Sequence, residues 1–538
     1  MKKAKTAFIL LLFVASCHSS QTLIGAYFRK THSLDRGTIH LFFHNPSNQT
    51  VKVEKVFYNG IEMDTIPNDF CLWHQTVPPV IAPGECANLK IKPRWYTNKL
   101  IRISALLSNG ETIDTVIVPV PPEIKFSFIG FANDYKKVYL YLVNIGTKPV
   151  EITRLFCQEQ DITHDCYIPE STILPSAKAL IIYTPKSPPR PGRYLSFRVT
   201  TDKGCTVQSI SRVYSHFPIA AWGKDVRTEL GFGPEHFEMR YPKNKEAFQN
   251  YKNEPPFKAY QLLTDPVCVD GGKKQIVGTS AKEIIEQAKV CYEYDPTHPT
   301  LIHLCEHQKP DCYFVYGELT DIGVVNPYEI VFYRNPPEKN AYFAALGKRA
   351  SEPRPLWTIP EAFTYRGTRF PTPEEERIIV WSQIGEGSKG IWYYVANQKT
   401  GYPANPSLEA EIGRINRELQ ALKEYLVISE PVALAQTDTE KVTAYTLLCG
   451  DKGIVLILVN NDHTSSFEEG KKPFLHHPKE HFTAKLKIPP WLKIQKITEV
   501  TAHQTKETLI SPTQSDNLIL PIDRLDITRL FLIHTERK

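Results

Sequence analysis

Apolar and polar positions change their rhythm twice along this chain, and each change marks a different architecture. From residue 22 to 216, short apolar runs recur about every ten residues between Gly, Pro, Asn and Asp, the pattern of an all-β sandwich. The pattern repeats itself. Ile39-His40-Leu41-Phe42-Phe43-His44-Asn45 is answered by Val138-Tyr139-Leu140-Tyr141-Leu142-Val143-Asn144, and Val53-Glu54-Lys55-Val56-Phe57 by Ile152-Thr153-Arg154-Leu155-Phe156, both at an offset of 99 residues. Each copy carries a later proline segment, Ile81-Ala82-Pro83-Gly84 and Ile173-Leu174-Pro175-Ser176. A unit of about 100 residues built of short strands predicts two immunoglobulin-like sandwiches, over 17–120 and 121–216. Pro119, Pro121 and Pro122 mark their joint, and Asn45 and Asn144 read as turn residues.

From 217 to 430 strands alternate with helices of period 3.6. Phe217–Trp222 reads as a first strand, Ala259–Thr264 as a later one ending at Asp265-Pro266, and Leu301–Leu304 and Ile322–Val325 as two more, the last ending at Asn326-Pro327-Tyr328. Ser280 and Glu283 form a capping box for a helix running through Cys291. Leu356-Trp357-Thr358-Ile359 ends at Pro360-Glu361, and Thr372, Pro373 and Glu375 open the next helix as N-cap, first-turn proline and capping-box partner. Gly390–Val395 is short, aromatic and apolar like a buried parallel strand, with Trp392 and Tyr394 on one face by period two. Leu408, Ile412, Ile415, Leu419, Leu422 and Leu426 then form one helical stripe. Alternation of this kind predicts a parallel sheet or (β/α) barrel with its chemistry at the strand C-termini, where Glu361 falls. Only about 40 residues separate Trp222 from Ala259, too few for two regular βα units, so the first half is shortened. Beyond 430 the helical period vanishes. Val442–Leu448, Gly453–Val459, Ala484–Ile488, Lys496–Thr501 and Leu530–His534 predict a C-terminal β-sandwich over 431–538.

Pro371-Thr372-Pro373-Glu374-Glu375-Glu376-Arg377, Gly387-Ser388-Lys389-Gly390-Ile391-Trp392-Tyr393-Tyr394 and Ile412-Gly413-Arg414-Ile415-Asn416-Arg417-Glu418-Leu419 together carry a family likeness. The region from Pro218 to Glu430 resembles the glycoside-hydrolase-like TIM barrels of multidomain bacterial secreted proteins, near the clan of retaining β-galactosidases and cellulases. The resemblance implies two carboxylates flanking a glycosidic bond, at the ends of strands four and seven. Glu361 stands at the strand-seven position and would be the nucleophile. Asp265, in Thr264-Asp265-Pro266, stands where the family carries a glutamate as acid/base, and is one methylene shorter. A retaining pair lies ~5–5.5 Å apart and an inverting pair ~6.5–9.5 Å. Trp357, Asn326, Tyr328, Trp392 and Tyr394 are the expected substrate-binding residues.

The N-terminus adds a location. Lys2, Lys3 and Lys5 precede an apolar run, Ala7–Val14, and Val14-Ala15-Ser16-Cys17 follows. This is the layout of a secretory signal over 1–16, and the cysteine resembles a bacterial lipobox, so lipidation of Cys17 and a membrane anchor are expected. No aspartate follows Cys17, which points to the outer membrane where a cell has two. The net charge of +6 is spread without a basic block and gives no support to a nucleic-acid partner. Eleven cysteines in an exported chain make Cys71–Cys86 and Cys157–Cys166 the expected disulfides. His303, Cys305, His307 and Cys312 lack the paired short loops of a zinc site, so neither metal nor cofactor is expected, and no phosphate-loop, His-Glu-x-x-His or Gly-x-Ser-x-Gly motif competes. Two functions fit: a glycosidase acting on a polysaccharide or glycan through Asp265 and Glu361, or a non-catalytic glycan-binding or scaffold lipoprotein.

Overall fold

The computed structural model describes residues 22–538 apart from 31–32, 34, 67–70, 76–77, 94–99, 119–121, 224–225, 234–244, 254–258, 263–266, 271–273, 278, 306–309, 366, 469, 503–504 and 509–516. The chain is β-rich and divides into two compact units, one containing Thr38–Pro121 and the other Pro122–Lys538.

In the first unit, Thr22–Arg29, Thr38–His44, Cys86–Lys92 and Leu72–Gln75 form one antiparallel sheet. Ile61–Glu62, Val53–Tyr58, Ile101–Leu107 and Thr112–Ile117 form the other. Alternate residues Ile39, Leu41 and Phe43 meet Ile101, Ile103 and Ala105 in a shared core. The second unit begins with the same design: Cys166–Tyr167, Lys178–Tyr183, Val138–Asn144 and Ile124–Phe131 in one sheet, Gln160–Asp161, Val150–Cys157, Tyr194–Thr201 and Thr206–Arg212 in the other. The repeat extends to individual atoms. Asn45 Nδ2 donates to the carbonyls of Gln49 and Ile81, and Asn144 Nδ2 to those of Lys148 and Ile173, all at 2.8 Å. These asparagines are fully buried braces between a turn and a distant segment, a stronger role than the turn position their neighbours suggested. Asn460, at the end of a C-terminal strand, repeats the device with the carbonyls of His477 and Asp526.

The expected disulfides are absent. Cys71, Cys157 and Cys166 are free thiols, and burial pushes the last two up to about 12. Each side of these sandwiches already has an apolar core, which holds the sheets together without a covalent bridge.

The central domain is built on six parallel strands: β1 (Ile219–Gly223), β2 (Tyr260–Gln261), β3 (Thr300–Cys305), β4 (Ile322–Asn326), β5 (Leu356–Thr358) and β6 (Ile391–Ala396). Their order across the sheet is β1-β6-β5-β4-β3-β2, which brings the first strand against the last as a barrel does. Among the described residues no ladder joins β1 to β2, and the helix α1 (Lys245–Asn253) occupies the intervening sequence. The remaining helices are α2 (Ala281–Tyr294), α3 (Pro310–Tyr316), α4 (Glu329–Tyr333), α5 (Lys339–Ser351), α6 (Pro373–Gly385) and α7 (Pro406–Leu426). Both capping boxes form, Ser280 with Glu283 and Thr372 with Glu375, and Asn405 caps α7.

The C-terminal domain pairs a six-stranded antiparallel sheet, led by Val442–Leu448 and Gly453–Asn460, with a three-stranded one of Ala435–Thr437, Lys479–Lys487 and Asn517–Leu525. One continuous core runs from α6 and α7 into this sandwich. A buried ionic knot ties the second sandwich to both later domains. Glu430 Oε1 accepts from Lys178 Nζ at 2.6 Å and Lys348 Nζ at 2.9 Å, and Glu352 takes Lys125 at 2.5 Å. Beside it the Lys389 ammonium, held down to about 7 by burial, reaches Ser429 Oγ at 3.0 Å and the Phe128 ring.

Candidate functional site

The inner face of the parallel sheet is fixed by alternation. Ala220, Ala259, Leu301, Ile322, Val324, Trp357, Ile359 and Trp392 share one buried cluster, so the residues two places on, Trp222, Gln261, His303, Asn326, Glu361 and Tyr394, lie on the same face nearer the strand C-termini. β1 and β6 approach closely there. Gly223 has a φ of 132° and lies where a Cβ would overlap the Ala396 carbonyl, which lets Trp222 turn inward beside the last strand.

The rings form a continuous band. Trp222 lies 5.8 Å from Trp392 and 5.2 Å from Tyr394, and Phe363 lies 4.9 Å from both Tyr394 and Tyr328. Phe332 extends it to Tyr365, at 5.1 Å. Exposure varies across the band: Trp392, Phe363 and Tyr328 are buried, Trp222, Tyr394 and Phe332 are half-buried, and Tyr365 is 40% exposed. Trp392 is therefore core, while Tyr394 belongs to the mouth. Trp357 is fully buried below, 6.4 Å from Tyr214, and takes no part in the rim.

Glu361 has a different occupation from the one its position suggested. Its side chain is fully buried. Oε1 accepts from Ile330 N at 3.0 Å and Asn340 Nδ2 at 3.2 Å, and Oε2 from Ile330 N at 3.0 Å and Val331 N at 2.9 Å. It thus caps the first turn of α4 from a distant strand and ties α5 to the same point. Burial pushes its carboxyl up to about 8, against the pull of those N–H groups. Arg369, eight residues on, is held bidentately by Glu375 at 2.6 and 2.8 Å, and Arg366 lies outside the described residues.

Asp265 and Cys17 also lie outside the described residues, so the structure places neither. Asn326 and Tyr328 stand at the end of β4, 6% and 8% exposed, and Tyr328 joins the aromatic band. Neighbouring Glu329 is buried, its carboxyl raised by that burial and held by Asn335 Nδ2 at 2.6 Å.

Three inner-face groups are not among the expected substrate-binding residues: Trp222, Gln261 and His303. A polar residue interrupting an apolar strand, as in Ala259-Tyr260-Gln261-Leu262, was the available sign. His303 packs edge-on against Trp392 at 5.4 Å and Trp222 at 6.2 Å, and burial pushes it down to about 3, leaving a neutral imidazole. His307 lies outside the described residues, among which no group of three or more His, Cys, Asp or Glu side chains is placed to hold a metal ion.

No family model matches the chain, and neither does any curated protein. Solved structures with partial likeness include the cycloisomaltooligosaccharide glucanotransferase of Paenibacillus sp., at 8% identity and a TM-score of 0.31 over 76% of this chain and 100% of that one. Bacteroides uniformis β-glucuronidase 2 aligns at 9% identity and a TM-score of 0.27 over 93% of this chain and 92% of that one. A putative β-galactosidase from Bacteroides fragilis aligns at 9% identity and a TM-score of 0.25, over 91% and 90%. At TM-scores this low a superposition spans unlike arrangements, so these likenesses carry no argument about the site.

Proposed function

We propose that this chain is a lipid-anchored, extracytoplasmic, glycoside-hydrolase-like protein whose central domain, a (β/α) barrel shortened after its first strand, binds a polysaccharide or glycan without cleaving it. One observation carries the absence of cleavage: the Glu361 carboxyl is fully buried and engaged by Ile330, Val331 and Asn340. A glycosidase nucleophile must reach the anomeric carbon with an oxygen free to attack. Here both oxygens hold donors: freeing Oε2 would bare the Val331 N–H, at about 1–3 kcal/mol, and freeing Oε1 would strip the Asn340 amide of one acceptor. Glycan binding is supported by the aromatic band at the strand C-termini, whose half-buried faces suit the C–H faces of a sugar ring, together with the sequence resemblance.

The expected result is no turnover of a panel of aryl glycosides and no mass adduct after incubation with mechanism-based cyclitol aziridines, alongside measurable affinity for at least one glycan. An aziridine adduct mapped to Glu361 would overturn this reading in favour of a retaining hydrolase with Asp265 as acid/base.

Attachment is proposed to come from Cys17 alone. Among the described residues no helix is long and apolar enough to cross a membrane. Cys17→Ser should move the protein from the membrane fraction to the soluble one and abolish incorporation of labelled fatty acid. Equal labelling of both forms would refute the anchor.

A further inference from the structure

Beneath the aromatic rim lies a polar row that an apolar barrel interior does not need. Gln261 on β2, His303 on β3 and Asn326 on β4 share the inner face of three neighbouring strands. Gln261 pairs in register with Leu301, two residues before His303, and Asn326 pairs with Cys305, two residues after it. The three therefore form a diagonal that climbs towards the strand C-termini. All are at least nine-tenths buried, at 2%, 2% and 6% exposure. Among the described residues, Gln261 Oε1 and Nε2, His303 Nε2 and Asn326 Oδ1 have no hydrogen-bond partner. A polar group without a partner is costly in a closed core, so three on one diagonal are strongly unfavourable unless something meets them. Trp222, half-buried and 6.2 Å from His303, roofs the row and connects it to the rim.

We infer that Gln261, His303 and Asn326 form a second binding level that hydrogen-bonds the hydroxyl groups of an uncharged sugar residue lodged against Trp222. The inference rests on the glycan-binding reading and names its ligand class. Two amides and an imidazole supply both donors and acceptors, as hydroxyl groups require. Burial keeps the imidazole neutral, so the row offers no cation. A uronate carboxylate or a sulfate pushed into it would lose its water without gaining a countercharge, which is strongly unfavourable. A neutral hexose or pentose meets no such penalty.

The test measures affinity, by calorimetry on the full chain, for neutral gluco-, galacto-, manno- and xylo-oligosaccharides and for uronate oligomers of equal length. The expected result is binding of a neutral oligosaccharide, weakened about tenfold or more by Gln261→Leu and by His303→Phe, since each hydrogen bond lost to a matched ligand is worth about that factor. Their melting temperatures should hold or rise, because an apolar side chain replaces a polar one lacking a partner. Should either fail to fold, Asn326→Leu, nearer the mouth, carries the same test. Binding of uronates alone would overturn this inference and leave the glycan-binding reading intact. So would unchanged affinity in all three variants when Trp222→Ala abolishes it, since the row would then be core. Failure to bind either class would overturn the inference and the reading together.

Discussion

Replacing Glu430 with glutamine is expected to destabilise the second unit by about 3–5 kcal/mol, the usual result of stripping one partner from a buried ion pair. Glu430 is fully buried, and a single oxygen holds both Lys178 and Lys348. Glutamine keeps the shape but leaves those ammonium groups facing a dipole where a charge stood. Truncating Lys348 to methionine in the same molecule should recover part of the loss, because the orphaned cation is then gone. The pH dependence has a definite sign. Burial raises the Glu430 carboxyl, but Lys178, Lys348 and Lys389 outweigh it and hold it down to about 2, below its ordinary 4.5. The unfolded chain thus binds the proton first, and the contribution is complete above pH 4.5 and is lost as pH falls through that value towards 2. Urea midpoints measured across that window should slope downwards in the natural protein and flatten at this site in Glu430→Gln. A glutamine variant with an unchanged midpoint would remove the knot from any account of how the domains are joined.

Glu361 offers the second large effect, and it separates a cap from a nucleophile. Glu361→Ala should cost about 2–4 kcal/mol, since the N–H groups of Ile330 and Val331 lose their acceptor inside the protein. Glu361→Gln should be tolerated. Its amide oxygen can still take the α4 N–H groups, and its NH2 can donate to Asn340 Oδ1, which has no partner among the described residues, once that amide turns over and gives up its bond to the Pro337 carbonyl. The natural carboxyl, raised to about 8 from an ordinary 4.5, stabilises the fold below pH 4.5 and loses that contribution as pH rises through 8. Glutamine removes the dependence, so the variant should gain on the natural protein above pH 8, with glycan affinity unchanged. A glutamine variant that folds as before yet loses a measured hydrolytic activity would reinstate Glu361 as catalytic.

These results depend on how much of the molecule was written locally. The duplicated strand–Asn segments were plain in the sequence because period-two alternation and an offset of 99 residues are local facts. The capping boxes at Ser280 and Thr372 were legible for the same reason, each being complete within four residues. Counting residues between Trp222 and Ala259 predicts a shortened front to the parallel sheet, and among the described residues no ladder joins the two strands there.

The sequence could place Glu361 at a strand end but not say what it faces. That depends on α4, which begins about 30 residues earlier and turns its first N–H groups towards it. The two expected disulfides are not formed, although Cys157 lies near enough to Cys166 to raise its thiol, so nearness alone did not decide bonding. Gln261, His303 and Asn326 read separately as unremarkable polar residues, and only strand register sets them on one diagonal. By itself the sequence determined those elements whose periodicity and capping are complete within a few residues, and the face each presents, while α4 and α5 went unread. Only the tertiary structure decided which buried polar groups find partners, because a partner is a matter of distance between segments that the chain keeps far apart.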